Sequence, residues 1–182
     1  MLVVVAAVVA LLVAGIGIYV WWDRLVPPSG QVSMQYATPT RLQDKRVPGF
    51  SLPGLIDRGF EARDLLLAKK PTIVKFWGPW SSACILEYPI LLELQAAQVE
   101  VWAIAFRDSR TNALDYLERN GNPYTRVAYD AAGRVASDWG VTSAPSTFLV
   151  DGEGFVRWHR AGPLTPQIVA RELRPLLERF AP

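Results

Sequence analysis

The segment Phe76-Trp77-Gly78-Pro79-Trp80-Ser81-Ser82-Ala83-Cys84 separates two regular patterns in this sequence. Residues 71–77 form a short, mostly apolar run that is typical of a buried strand. Residues 84–98 carry apolar side chains on a broad helical stripe, which Pro89 interrupts near its start. The segment is therefore predicted to lead from a strand into a helix. It ends at the only cysteine of the chain, so an internal disulfide is impossible.

The rest of the sequence alternates between strand-like and helix-like segments. The predicted strands cover residues 73–77, 99–106, 146–151 and 155–160, and the predicted helices cover residues 64–70, 84–98, 111–120, 133–139 and the C-terminal segment. Gly121 is a typical helix end, and Thr165 followed by Pro166 is a typical helix start. Asp151-Gly152-Glu153-Gly154 predicts a hairpin turn. This order predicts an α/β fold in which helices flank a central mixed β-sheet.

Four segments resemble one family. Residues 76–84 resemble the active-site segment of thioredoxin-like proteins, and residues 140–151 resemble the segment that carries their cis-proline. Residues 120–124 and 159–165 are similar to the DsbE/CcmG type, the membrane-anchored thioredoxin-like proteins of cytochrome c maturation. The resemblance implies thiol–disulfide exchange with apocytochrome c or another thiol-containing protein. It also implies a periplasmic domain on the inner membrane, without a cofactor or a metal.

Position 81 determines which chemistry this resemblance allows. In the family, the first of two cysteines attacks or receives a partner's disulfide as a thiolate, and the second resolves the mixed disulfide. Ser81 stands at the first position, where the positive end of a helix would lower the pKa of a thiol. A serine remains an alcohol and cannot exchange disulfides. We therefore expect impaired redox chemistry, with Ser81 accepting a backbone N–H as a helix N-cap.

Two other residues near this turn each allow two interpretations. Cys84 occupies the resolving position, and it is either a small buried apolar residue or a lone nucleophile that forms an intermolecular mixed disulfide. Lys75 stands where many thioredoxins carry a buried acid. The favoured interpretation is that its long side chain reaches solvent at the edge of the sheet. The alternative is a desolvated cation that stabilises a Cys84 thiolate.

Pro145 is the position on which the resemblance bears most directly. It implies a cis peptide bond before Pro145, and such bonds are almost confined to proline. It also implies that the backbone of Ala144 is available to peptide partners. The DsbE/CcmG type usually has a glutamate after this proline, and the serine at position 146 therefore puts substrate specificity and local acidity in question. Trp80 is expected to be exposed as part of the same binding surface, whereas Trp77 is expected in the core.

The chain divides into three predicted regions. Residues 1–22 carry no charged side chain and are long enough to span a bilayer as a helix. A cleavable signal peptide is the less favoured alternative, because no basic residues precede the apolar run. Residues 23–43 are predicted to be a linker, and residues 44–182 are predicted to form the thioredoxin-like domain. Charge alone does not decide which side of the membrane the domain faces.

Charge and histidine content argue against two kinds of partner. The chain has 19 basic and 17 acidic residues without a block of like charge, so nucleic acid is not expected to bind. His159 is the only histidine, and no second imidazole or thiolate is expected to complete a metal site with it. It is instead expected to lie in a strand of the terminal hairpin.

Three functional classes remain open at this stage. The first is the thiol–disulfide exchange that the resemblance implies, impaired by the serine at position 81. The second is a binding module without catalysis, which would pair extended polypeptides with the backbone beside Pro145. The third is a single-cysteine thiol peroxidase, because peroxiredoxins use a Thr/Ser-x-x-Cys turn that Ser81-Ser82-Ala83-Cys84 matches. Peroxiredoxins also require a proline where this chain has Trp77, which places the third class last.

Overall fold

A five-stranded mixed β-sheet forms the centre of this computed structural model, which describes residues 37–182. Its strands are β3 (Thr72–Trp77), β4 (Val101–Phe106), β5 (Arg126–Asp130), β6 (Ser146–Val150) and β7 (Val156–Ala161). They lie in the order β5-β4-β3-β6-β7. Strands β3, β4 and β5 are parallel, whereas β6 and β7 are antiparallel to their neighbours. The predicted mixed sheet is confirmed, and a separate small hairpin pairs β1 (Ser51–Leu52) with β2 (Phe60–Glu61).

Helices cover both faces of the central sheet, as expected for a sheet with parallel strands. They are α1 (Ala62–Leu67), α2 (Ser82–Leu86), α3 (Tyr88–Ala96), α4 (Arg110–Asn120), α5 (Arg134–Asp138), α6 (Pro166–Ile168) and α7 (Arg174–Arg179). The helix predicted after Cys84 divides at Glu87, two residues before Pro89, so α2 and α3 are separate. Gly121 ends α4 at φ 89°, as predicted.

The C-terminal helical segment begins as predicted and then changes its winding. Thr165 accepts a hydrogen bond from the Ile168 backbone N–H at 3.3 Å, and Pro166 lies in the first turn of α6. Residues Val169–Leu173 form a π-helical turn that connects α6 to α7. The sequence predicted a kink at Pro175, and the π-helical turn ends at Leu173, two residues before that proline.

Aromatic rings fill the core on one face of the sheet. Phe76 and Phe148, from neighbouring strands, have ring centroids 5.8 Å apart in an edge-to-face arrangement. Trp139 packs against Phe148 at 5.0 Å and against Phe76 at 5.4 Å. Such aromatic pairs contribute about 0.5–1.5 kcal/mol each beyond the area that they bury. This cluster fixes β3 relative to β6, the two strands that carry the candidate site.

Both outer strands of the sheet have neighbours outside it. On the β7 side, the Thr38 backbone N–H donates to the His159 carbonyl at 2.6 Å, and Leu42 lies in the core. On the β5 side, the Leu55 N–H donates to the Val127 carbonyl at 2.8 Å. Residues 38–43 belong to the predicted linker, and in the structure they contact the folded domain. They do so because β7 offers unpaired backbone groups and the core accepts Leu42.

The remaining regional predictions lie outside the described residues. The predicted anchor, residues 1–22, and residues 23–36 of the predicted linker are not part of the described structure. Among residues 37–182, no helix has the length and apolar character needed to cross a membrane.

Candidate functional site

The turn before α2 faces the loop that contains Pro145. The Ala144–Pro145 peptide bond is cis. Ser81 is buried at the start of α2, and its hydroxyl donates a hydrogen bond to the Ala144 carbonyl at 2.8 Å. The sequence prediction that the Ser81 side chain caps the helix is wrong, because its hydroxyl accepts no hydrogen bond from that helix. The hydroxyl instead donates to the nearby Ala144 carbonyl, and α2 therefore starts without a side-chain cap.

Cys84 lies on the first turns of α2 beneath this contact. Its side chain is buried, with 5% of the residue exposed. Burial raises the pKa of the Cys84 thiol, and the Gly78 backbone, the Lys75 charge and the Ser81 hydroxyl oppose this rise in part. A thiol with a raised pKa and little exposure is a poor nucleophile at neutral pH. The geometry therefore favours the interpretation of Cys84 as a small buried residue.

Lys75 lies in the interior and not at the edge of the sheet. Its ammonium forms an ion pair with Glu87, with 2.6 Å between Lys75 Nζ and Glu87 Oε1, and both side chains are fully buried. It also donates to Thr147 Oγ1 at 2.7 Å. The favoured prediction that Lys75 reaches solvent is therefore wrong, because a buried carboxylate and a hydroxyl satisfy its charge inside the domain.

Glu87 is a site residue that the sequence reasoning missed. It lies between α2 and α3, and its Oε2 accepts the Leu164 backbone N–H at 2.8 Å. Glu87 thus connects the broken helix, strand β3 and the loop before α6. The sequence signal that could have indicated an acidic partner is the lysine in the middle of an otherwise apolar strand, because a buried cation requires a partner.

Aromatic side chains surround Cys84 and Glu87. Trp77 packs against Tyr124 at 5.4 Å and Tyr116 at 5.9 Å, which confirms that Trp77 belongs to the core. Burial raises the pKa of Tyr116, and the Cys84 charge adds to the rise. Burial also raises the pKa of Tyr124, with the Glu87 charge as the next cause. Both phenols therefore stay protonated at neutral pH.

Ser146 follows the cis-proline and points into the sheet. Its hydroxyl lies 2.8 Å from His159 Nε2, and His159 Nδ1 lies 3.1 Å from the Thr38 carbonyl. If Nδ1 donates to that carbonyl, Nε2 is left to accept the Ser146 hydroxyl. Burial lowers the pKa of His159, which favours this neutral form. His159 pairs with Phe148 in the hairpin, as the sequence predicted.

The surface around the turn is apolar. Trp80 is 50% exposed, in agreement with the prediction, although its indole N–H donates to the Phe106 carbonyl at 3.3 Å. Ile85 and Leu86 on α2 are 48% and 77% exposed, and the sequence reasoning missed both. The sequence signal for these two residues was a pair of bulky aliphatic side chains directly after Cys84. Because Cys84 and Glu87 are buried, the two positions between them lie on the outer side of α2.

Among residues 37–182, no three His, Cys, Asp or Glu side chains converge as a metal ion would require. A five-stranded mixed sheet, a helix that starts at Ser81-x-x-Cys84 and a facing cis-proline define a protein of the thioredoxin-like class.

Comparisons with known proteins narrow this class. Residues 44–159 match the model of the AhpC/TSA family. The chain is 44% identical to the thiol:disulfide interchange protein DsbE of Xylella fastidiosa over 137 residues, which cover 75% of this chain and 70% of that protein. It is 36% identical to DsbE of Escherichia coli K12 over 148 residues, which cover 79% and 80% of the two chains. The chain belongs to the AhpC/TSA family and, within it, to the DsbE thiol:disulfide interchange proteins.

Solved structures agree on the fold. A thiol:disulfide interchange protein of the thioredoxin family from Chlorobium tepidum superposes with a TM-score of 0.61 at 21% identity, covering 79% of this chain and 99% of that one. A DsbF homologue from Corynebacterium diphtheriae gives a TM-score of 0.62 at 22% identity, covering 83% and 95%. At these identities the likeness supports the thioredoxin-like fold alone.

Proposed function

We propose that this protein holds thiol-containing polypeptides, apocytochrome c in particular, on the surface beside Pro145 without completing a dithiol cycle. Membership of the DsbE family and the resemblance to the cytochrome c maturation type support this partner. In this proposal, residues 1–22 anchor the chain in the inner membrane and the domain faces the periplasm. A protease-protection assay on spheroplasts tests the orientation, since external protease then cleaves the domain.

One contact carries the proposal. The group opposite the Ala144 carbonyl is the Ser81 hydroxyl, and the only thiol of the chain, that of Cys84, is buried on α2. A dithiol cycle requires a second sulfur in the same protein to release the partner from a mixed disulfide. Without it, Ser81 and Ala144 can position a partner but cannot exchange electrons with it.

The proposed binding mode uses backbone and apolar contacts together. An extended polypeptide gains affinity when its main chain pairs with exposed backbone of a sheet or loop. Ala144 would supply such backbone, and the Ala144 carbonyl has a second lone pair beyond the one that Ser81 uses. Trp80 and Leu86 would bury apolar side chains of the partner on the same side of the domain.

Two measurements on the full-length chain test the proposal. The chain should not catalyse reduction of insulin by dithiothreitol, whereas Ser81→Cys should, and Ser81→Cys/Cys84→Ser serves as the one-thiol control. A reduced Cys-x-x-Cys-His peptide should shift backbone NMR signals near Pro145 in the unaltered chain. Catalysis by the unaltered chain would contradict the loss of the cycle. The absence of a shift at saturating peptide would contradict the binding role.

A further inference from the structure

The buried Lys75–Glu87 pair has no role in the binding function proposed above. Ion pairs are costly to bury, and two apolar side chains of similar volume are often as stable. Yet Lys75 and Glu87 are both fully buried, and they lie in the same cluster as Cys84. Their charges act on the only thiol of the chain, which raises the question of what the pair does to the reactivity of that thiol.

The reactivity of a buried thiol depends on where its proton goes. Cys84 is a nucleophile only as a thiolate, so its proton must pass to water or to a nearby base. Water has poor access, because Cys84 is buried under the Ser81 turn and beside the tyrosines. Glu87, three residues further along the helical segment, is the carboxylate whose charge acts on Cys84. It is therefore the natural base for this thiol.

Both carboxylate oxygens of Glu87 already lie against other groups of the protein. The Lys75 ammonium lies 2.6 Å from Oε1, and the Leu164 backbone N–H donates to Oε2 at 2.8 Å. Thr147 Oγ1 accepts from the same ammonium at 2.7 Å and holds the cation in place. A proton arriving from Cys84 would have to compete for the carboxylate with the Lys75 charge and the Leu164 N–H.

We infer that Lys75 is a positioning residue that holds the Glu87 carboxylate away from proton transfer at Cys84, as a second obstacle to dithiol exchange that is independent of Ser81. The inference rests on the proposed function and adds that the dithiol cycle restored by Ser81→Cys has a slow resolving step at Cys84. It predicts that the thiol introduced by Ser81→Cys forms mixed disulfides readily, while Cys84 resolves them slowly.

The test measures how fast Cys84 resolves a mixed disulfide in the full-length Ser81→Cys variant. The introduced thiolate attacks Ellman's reagent, its disulfide breaks, and one thionitrobenzoate leaves as a coloured thiolate. Cys84 then loses its proton and attacks the introduced sulfur of the mixed disulfide. An internal disulfide forms, and a second thionitrobenzoate leaves. Stopped-flow absorbance separates the bimolecular first phase from the first-order second phase. Ser81→Cys/Cys84→Ser is the control that releases only the first equivalent.

Two added substitutions decide the role of Lys75. Adding Glu87→Gln should not slow the second phase, because the carboxylate already takes no part in proton transfer. Adding Lys75→Gln should accelerate it, towards the gain of about 10²-fold that a positioned base typically gives. A second phase slowed by Glu87→Gln would show that the carboxylate already acts as the base and would overturn the inference. The inference would also be overturned if Lys75→Gln left the rate of the second phase unchanged or lowered it. A lowered rate would mean that Lys75 stabilises the Cys84 thiolate as its counter-charge.

Folding controls keep the two arms interpretable. Near-ultraviolet circular dichroism reports whether each variant keeps its packed tryptophans. If Lys75→Gln unfolds the domain, Glu87→Gln remains as the test, because its amide keeps the shape of the carboxylate and a slower second phase in that variant still overturns the inference. The proposed function fails separately, through insulin reduction by the unaltered chain. A result against Lys75 therefore leaves that function standing.

Discussion

Removal of the buried cation at position 75 should destabilise the domain strongly. Lys75→Met leaves the Glu87 carboxylate, fully buried, without the ammonium that now lies 2.6 Å from it. Breaking a buried ion pair in this way costs about 3–5 kcal/mol. Since each kcal/mol shifts the Tm of a domain of this size by about 2–4 °C, we expect the Tm to fall by about 6–20 °C.

Thermal unfolding of the full-length chain, followed by near-ultraviolet circular dichroism, measures this loss. Lys70→Met is the matched control, because Lys70 forms a partly exposed pair with Glu100 at 3.0 Å. Such surface pairs contribute only about 0–1 kcal/mol. The double variant Lys75→Met/Glu87→Leu should recover most of the Tm, because it removes both charges from the core.

The comparison between the two lysines tests the reasoning directly. If Lys75→Met lowers the Tm no more than Lys70→Met does, the pair is solvated and its burial does not control stability. If the double variant is no more stable than the Lys75→Met single variant, the loss comes from packing and not from an unpaired carboxylate. Either result would refute the energetic argument for Lys75 and Glu87.

Four further predictions concern Ser81, Cys84 and His159. Ser81→Ala removes the hydrogen bond to the Ala144 carbonyl and should lower the free energy of unfolding by about 1 kcal/mol, measured by urea denaturation; an unchanged value would contradict that contact. Burial raises the pKa of the Cys84 thiol, so iodoacetamide should alkylate it more slowly in the folded chain than in urea at pH 8, and equal rates would contradict its burial. For the same reason stability should fall as the pH rises through the ordinary thiol range, because the unfolded chain then releases its proton first, and Cys84→Ala should remove this slope. Burial lowers the pKa of His159, so the unfolded chain binds more protons below the usual histidine pKa and stability should fall as the pH drops there; His159→Gln should weaken that dependence.

The parts of the fold that the sequence predicted well depend on local signals. Gly121 ends α4 because a helix end favours a residue that tolerates positive φ, and the φ of 89° is local chemistry. Thr165 and Pro166 start α6 for equally local reasons. The hairpin turn at residues 151–154 could be predicted because its glycines and acidic residues favour a turn whatever the rest of the chain does.

Strand β5 was missed because its support is not local. Its sequence Arg126-Val127-Ala128-Tyr129-Asp130 has charged ends and no long apolar run. It becomes a strand by pairing in parallel with β4 on one side. On its other side, the Leu55 N–H donates to Val127 and the Tyr129 N–H donates to Pro53. A strand stabilised by neighbours that are distant in sequence gives little periodic signal of its own.

The residues of the candidate site also divide into those that the local sequence indicates and those that only the tertiary structure reveals. Pro145, Trp80 and the serine at position 81 could be found from the spacing of motifs and from the resemblance. Glu87 could not be selected among several acidic residues, since only the tertiary structure places it against Lys75. The contact between the Ser81 hydroxyl and Ala144 likewise joins residues 63 positions apart.

The covered outer strands have a consequence for how this protein meets other chains. An open strand edge would accept any extended polypeptide, including an unfolded copy of the same protein, and thereby invite aggregation. Here Thr38 occupies backbone groups along β7, and Pro53 and Leu55 occupy them along β5. Unspecific strand addition is thereby discouraged at both margins of the sheet. Under the proposed function, a client chain would then find main-chain partners at the short loop of Ala144, and the contacts that cover both edges of the sheet would favour binding at that loop over aggregation.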